Sequence, residues 1–241
     1  MENSPAALPD AETIAQEFKE FAYVVAHDLS APLRGMVEFS KLLKTEQFDA
    51  LSDDGKEYIS LISESGEKLQ KMLGGLLDYS RLNTMGKPLS KVDCNRVLED
   101  CRIVLKDKLE ASNAKVDITA LPSVMADADQ LMQLFLLLVD NALTFHVPGG
   151  APDVSVCAEN NEKDWVFTIR DNGIGIEPQF HKRVFQPFQR LHTDSEYPGI
   201  GMGLTLAKKI VTRHGGQIWI DLTPPGKGSS FHFTLPHKEL S

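Results

Sequence analysis

Apolar residues at Phe18, Ala22, Val25, Leu29, Met36 and Leu43 recur at steps of three, four and seven. That spacing places them on one face of a helix running from about Asp10 to Leu43. A polar turn at Ser52, Asp53, Asp54 and Gly55 supplies helix-start chemistry. A second stripe follows through Tyr58, Ile62, Leu69, Met72, Leu76 and Tyr79. Two long amphipathic helices joined by a short turn make an antiparallel hairpin. Such a hairpin alone encloses too little interior to be stable, so the stripes are expected to pack against a second copy, giving a four-helix homodimer.

Met85, Gly86, Lys87 and Pro88 end the helical pattern, and the period that follows is mixed. The chain is expected to be multidomain: a flexible N-terminus over 1–11, an all-α hairpin over 12–85, a linker over 86–92 and an α+β unit over 93–241. In that unit, helices are expected near 94–111, from Asp127 to Phe145 and from Leu204 to His214. Strands are expected at Val116–Ile118, Val154–Ala158, Trp165–Ile169, Gln217–Asp221 and Ser230–Leu235.

With 241 residues, 42% of them hydrophobic, the chain can bury a sizeable core. Its net charge of −9 and the lack of any Lys/Arg run argue against nucleic acid as a partner. The most apolar stretch, Leu131 to Val139, is interrupted by Gln133 and is far short of the roughly 20 residues that span a bilayer. The opening residues have neither a basic start nor an apolar core, so a cytoplasmic location is expected. Cys94, Cys101 and Cys157 lack CxxC spacing and are read as free thiols.

Chemistry concentrates in two glycine-rich segments, Asp171-Asn-Gly-Ile-Gly175 and Gly199-Ile-Gly-Met-Gly-Leu204. Glycines let backbone approach a ligand, and amides at a loop-to-helix junction attract phosphate oxygens. Neither segment has P-loop spacing, and the second lacks the context of a dinucleotide fingerprint. Asp171, placed after a strand and before a glycine turn, can accept a hydrogen bond from an exocyclic amine such as that of adenine. Asn141, a polar side chain on the apolar helix, offers an oxygen suited to Mg²⁺ or serves helix packing. Upstream, His27 lies two residues past the apolar position Val25 and should project to solvent as a usable nucleophile. Asp28 beside it can orient the ring or take its second proton. Pro32 removes a helix N–H one turn later.

In this order, the pieces resemble the transmitter core of sensor histidine kinases, and the phytochrome-associated type most of all. His27-Asp-Leu-Ser-Ala-Pro-Leu-Arg34 is similar to the histidine box and Asn141-Ala-Leu-Thr-Phe145 to the end of the asparagine box. The two glycine segments resemble the glycine boxes, and Phe185-Gln-Pro-Phe188 the phenylalanine box. The resemblance implies a dimerisation and phosphotransfer hairpin followed by a two-layer α/β sandwich of the Bergerat type that binds ATP. It implies that His27 is the phosphoacceptor with Asp28 as base, that Asp171 reads adenine and that Asn141 holds Mg²⁺. Gly173, Gly175, Gly199, Gly201, Gly203 and Leu204 would shape the lid and phosphate loop, with Arg190 a candidate γ-phosphate contact. The phosphoryl group would pass to an aspartate of a response-regulator receiver domain.

Three positions depart from the family pattern. Leu137 stands where a second asparagine is usual, Thr144 where a lysine is usual, and Ala31 where many members carry the Thr or Asn that positions water for dephosphorylating the regulator. Weak phosphatase activity is therefore expected. The departures leave open an alternative, a catalytically weak kinase-like scaffold or phosphotransfer protein. Only about ten residues precede the first helix, so a separate or deleted sensory input domain is expected.

Overall fold

The computed structural model of the chain describes residues 11–84, 86–193, 196–221 and 227–237. The N-terminal segment expected to be flexible and the helix break at Met85 lie largely or wholly outside the described residues. Contacts divide the chain into two compact units, 1–81 and 82–241.

The first unit is the helical hairpin. Helix α1 spans Ala11–Glu46 and α2 spans Asp53–Thr84, joined through a short 3-10 turn at Phe48–Ala50. The turn is capped as its sequence suggests, with the Ser52 hydroxyl accepting the Gly55 N–H at 3.2 Å. Lys44 lies in the last turn of α1, and Asp53 and Asp54 open α2, each complementing its helix dipole.

The interior of the hairpin uses a different face from the one picked out by spacing. Ala26, Leu33, Val37 and Ser40 of α1 are buried, as are Ile59, Ser63 and Leu73 of α2. Gly66 lets the helices come close, since a Cβ there would stand 2.6 Å from Val37 Cγ2. The stripe residues Leu29, Met36 and Leu43 are instead 45 to 66% exposed, and Tyr58, Ile62 and Leu69 are also exposed. Both helices are apolar on two faces, one spent inside the hairpin and one left outward.

The second unit is an α+β sandwich. In chain order it contains β1 (Ser90–Asp93), α3 (Cys94–Val104), α4 (Lys106–Ala111), β2 (Lys115–Ile118), β3 (Ser123–Ala126) and α5 (Ala128–Thr144). There follow β4 (Asp153–Asn160), β5 (Asp164–Asp171), α6 (Gly203–Arg213), β6 (Ile218–Ile220) and β7 (Ser230–Pro236). The main sheet has the order β2-β4-β5-β7-β6, with β2 and β4 parallel and the other neighbours antiparallel. A separate antiparallel pair joins β1 to β3.

Residues 86–92, expected as a linker, therefore include most of β1. The Lys87 N–H donates to Asp127 Oδ2 at 2.7 Å, which ties this stretch to the start of α5. The helix expected near 94–111 is two helices broken at Leu105.

Alternation builds the core. Val154 and Val156 of β4, Phe167 and Ile169 of β5, and Phe231, Phe233 and Leu235 of β7 are all buried. Phe167 and Phe233 face each other in register and stack at 4.8 Å, and Phe135 of α5 meets both edge-on at 5.8 Å. His214, just past α6, is buried in a structural role: one ring nitrogen lies 2.8 Å from Ile210 O, and the other accepts the Asp127 N–H at 3.1 Å. That pairing requires a neutral ring whose Nδ1 carries the proton.

Candidate functional site

In the second unit, a cleft of about 290 Å³ opens beside α5 and α6. Asn141, Asp171, Gly175, Arg190, Gly199, Gly201, Gly203 and Leu204 all line it, so residues spread from 141 to 204 converge on one cavity. Gly173 does not line the cleft; it is buried beneath it.

Asp171 closes β5 and is only 6% exposed. Its Oδ1 accepts the N–H groups of Gly173 at 2.8 Å and Ser229 at 3.0 Å, which fixes the carboxylate. Oδ2 has no protein partner among the described residues, which leaves it for a ligand. Burial pushes the Asp171 carboxyl above its usual range, and the two backbone donors pull it partly back. Gly173 is crowded against the Phe145 carbonyl, so no side chain fits there. The same carbonyl accepts the Ile174 N–H at 3.0 Å, which joins the end of α5 to the glycine turn.

The segment between β5 and α6 is anchored at several points. Arg190 Nη2 donates to Tyr197 O at 2.5 Å, the Tyr197 hydroxyl donates to His146 O at 3.1 Å, and the Tyr197 ring lies 5.1 Å from that of Phe145. In the phenylalanine box, Phe185 is buried and its carbonyl accepts the Thr205 hydroxyl at 3.2 Å, which fixes the first turn of α6. Gly201 has φ +73°, and a Cβ there would lie 2.6 Å from Gln189 O, so glycine is required on both counts. The N-terminus of α6 has no side-chain cap, and its first residues, Gly203 and Leu204, line the cleft.

On α5, the cleft wall comprises Leu137, Asp140, Asn141 and Thr144. Lys108 of α4 reaches this wall, with Nζ 2.5 Å from Asp140 Oδ1 and 2.6 Å from Thr144 Oγ1. Asn141 has no side-chain partner among the described residues, and Leu137 offers no donor. No cluster of three or more acidic, His or Cys side chains suited to a metal occurs among the described residues. One open amide oxygen still fits Mg²⁺, which usually takes most of its ligands from water and nucleotide phosphates.

In the first unit, His27 is 67% exposed on its side chain, and its Nδ1 lies 3.1 Å from Asp28 Oδ1. With the Nδ1 proton directed at the carboxylate, Nε2 carries the lone pair outward. One turn earlier, Tyr23 stacks on the imidazole at 6.3 Å, and Arg81 of α2 lies 5.9 Å from the Tyr23 ring centre. The Ser30 hydroxyl donates to Ala26 O at 2.6 Å, and Pro32 has no N–H to offer the carbonyl of Asp28.

Motif spacing did not reveal Tyr23, Lys108, Ser229 or the Phe145 carbonyl. Tyr23 was within reach, because an aromatic four residues before a helical histidine shares its face. The others act across long sequence separations.

Residues 19–84 match the His Kinase A (phospho-acceptor) domain, and residues 126–239 match the histidine kinase-, DNA gyrase B-, and HSP90-like ATPase family. The chain is 39% identical to the phytochrome-like protein Cph1 of Synechocystis sp., over 91% of this chain and 29% of that protein. It is equally 39% identical to cyanobacterial phytochrome A of Nostoc sp., over 94% of this chain and 29% of that protein. The chain thus spans less than a third of these relatives. Among solved structures, full-length ShkA in complex with AMPPNP superposes with a TM-score of 0.67 at 23% identity, covering 92% of this chain and 47% of that one. The mycobacterial sensor histidine kinase MprB gives a TM-score of 0.53 at 28% identity, over 63% of this chain and 99% of that one. No described helix is long and apolar enough to cross a membrane. With a phospho-acceptor hairpin carrying an exposed histidine and an ATPase-type sandwich carrying the cleft, the chain belongs to the histidine kinases.

Proposed function

We propose that this chain is an ATP-dependent protein-histidine kinase, the transmitter core of a two-component system. Its cleft holds ATP with Mg²⁺, and His27 takes the γ-phosphoryl group. The observation that carries the proposal is the pairing of an exposed His27–Asp28 dyad with a cleft whose fixed Asp171 carboxylate keeps one oxygen open.

Asp171 Oδ2 accepts the adenine amino group, with Gly173 and Ser229 holding the carboxylate in place. Gly175, Gly199, Gly201, Gly203 and Leu204 bring backbone close to the phosphates, and Arg190 supplies a cationic contact. Asn141 is the residue that would hold Mg²⁺, which neutralises phosphate charge when bound. In the transfer, the Nε2 lone pair of His27 forms a bond to the γ-phosphorus while the bond to the bridging oxygen breaks, and ADP leaves with that electron pair. Asp28 takes up the Nδ1 proton as the ring gains positive character. The phosphoryl group then passes to a receiver aspartate of a response regulator.

The outward apolar stripes of α1 and α2 support a homodimer, since large exposed apolar patches on soluble proteins mark interaction surfaces. Leu137 on the cleft wall favours a second proposal, a nucleotide-binding scaffold with little transfer activity.

Calorimetric titration with ATP and Mg²⁺, followed by mass analysis of His27, separates the two. Binding together with a phosphorylated His27 supports the kinase. Binding with an unmodified His27 favours the scaffold, and no binding rejects both.

A further inference from the structure

We propose that Lys108 sets the charge of the nucleotide cleft by neutralising Asp140, and so governs affinity for the phosphate chain but not for the nucleoside. The proposal rests on the nucleotide assignment above and adds a residue outside every recognised motif.

Among the described residues lining the cleft, Asp140 and Asp171 are acids and Arg190 is the one Lys or Arg. A wall with that balance opposes a polyanion. Lys108 does not line the cleft, yet its ammonium is bound to the cleft's own wall. It lies 2.5 Å from Asp140 Oδ1, 2.6 Å from Thr144 Oγ1 and 3.3 Å from Asp140 O, which uses all three of its donors. The Thr144 hydroxyl donates to Asp140 O at 2.7 Å, so its lone pairs are turned toward the ammonium. The network closes on itself and leaves no role for Thr144 as a direct phosphate contact.

The short helix α4 places Lys108 opposite one turn of α5. Position 144 has lost the positive charge usual in the family, and Lys108 returns one to the same point from another element. A half-exposed ion pair contributes little to stability. Its consequence lies in the field at the phosphates, where an uncovered Asp140 carboxylate repels at a range of several ångströms.

The test compares ATP and adenosine binding by calorimetry on the full chain. Lys108→Gln is expected to weaken ATP about tenfold, the size of an unshielded charge at this range in a partly hydrated site, with adenosine unchanged. Lys108→Arg is expected to keep ATP affinity. Adding Asp140→Asn to Lys108→Gln is expected to restore most of it, because the offending charge is then gone. A purely structural Lys108 would make ATP and adenosine weaken together and leave the double variant unrescued; either result overturns the proposal. ATP affinity unaffected by Lys108→Gln overturns it alone. Failure of the unaltered chain to bind ATP overturns the nucleotide assignment, and this proposal with it.

Discussion

Nδ1 of His27 stands 3.1 Å from Oδ1 of Asp28, and both side chains face solvent. In the proposed transfer, the contact favours the tautomer that keeps Nε2 nucleophilic, and it offers a place for the Nδ1 proton as the N–P bond forms. Asp28→Asn keeps the shape and removes the base. We expect the rate of phosphorylation to fall by about a hundredfold, the lower end for general base catalysis, with the KM for ATP unchanged. An unchanged rate would remove Asp28 from the mechanism.

Asp171 gives the cleft a pH dependence. In the proposed role it accepts the adenine amine more strongly when ionised, and burial raises its pKa above the ordinary 3.8. Nucleotide affinity is therefore expected to fall on acidification at a higher pH than an ordinary carboxylate would impose. In the free protein, between 3.8 and the raised value the folded chain binds more protons than the unfolded one. This group's contribution to stability thus declines as pH rises through that window and is constant above it. Asp171→Asn should bind ADP weakly and without this acid limb, as calorimetry across pH would show. An acid limb retained in that variant would assign the effect elsewhere.

Gly66 and Val37 set the spacing of the hairpin. Alanine at position 66 gains up to about 1 kcal/mol of helix propensity but drives a methyl into a buried, stiff Val37, an overpacking cost of roughly 1–3 kcal/mol. Thermal unfolding should show Gly66→Ala as destabilising by about 1 kcal/mol net. In a Val37→Ala background the same change should become neutral or stabilising. Destabilisation of equal size in both backgrounds would refute the steric account.

Thiol chemistry gives a check on the sandwich. Cys94 and Cys101 are buried, and burial pushes both thiols up to about 12, whereas Cys157 is half-exposed on β4. Only a thiolate reacts readily. An alkylating reagent under native conditions should label Cys157 first and leave the other two unmodified until the unit unfolds. Early labelling of Cys94 or Cys101 would contradict the packing of α3.

The glycine boxes and the histidine run could be read from sequence because each is a local arrangement in which residue type and spacing carry the chemistry. The helices were legible too, but not their faces. Both are apolar on two sides, and the regular stripe through Leu29 and Met36 is the one turned outward, while Ala26, Leu33 and Val37 are inside. Ser229 and Lys108 lie 58 and 36 residues from the groups they serve, so only the fold brings them to the cleft.

The weak phosphatase activity expected from Ala31, an exposed residue one turn beyond His27, is open to a direct assay. Dephosphorylation of a phosphorylated receiver should be slow with this chain and should rise with Ala31→Thr. Brisk, ADP-stimulated dephosphorylation by the unaltered chain would overturn the expectation.

Incubation of the purified chain with γ-labelled ATP and Mg²⁺ reads out transfer of the γ-phosphoryl group to His27. The expected label is acid-labile and base-stable, absent from His27→Ala and strongly reduced in Asn141→Ala. Label that persists in His27→Ala, or none at all on folded, nucleotide-binding protein, would contradict that transfer.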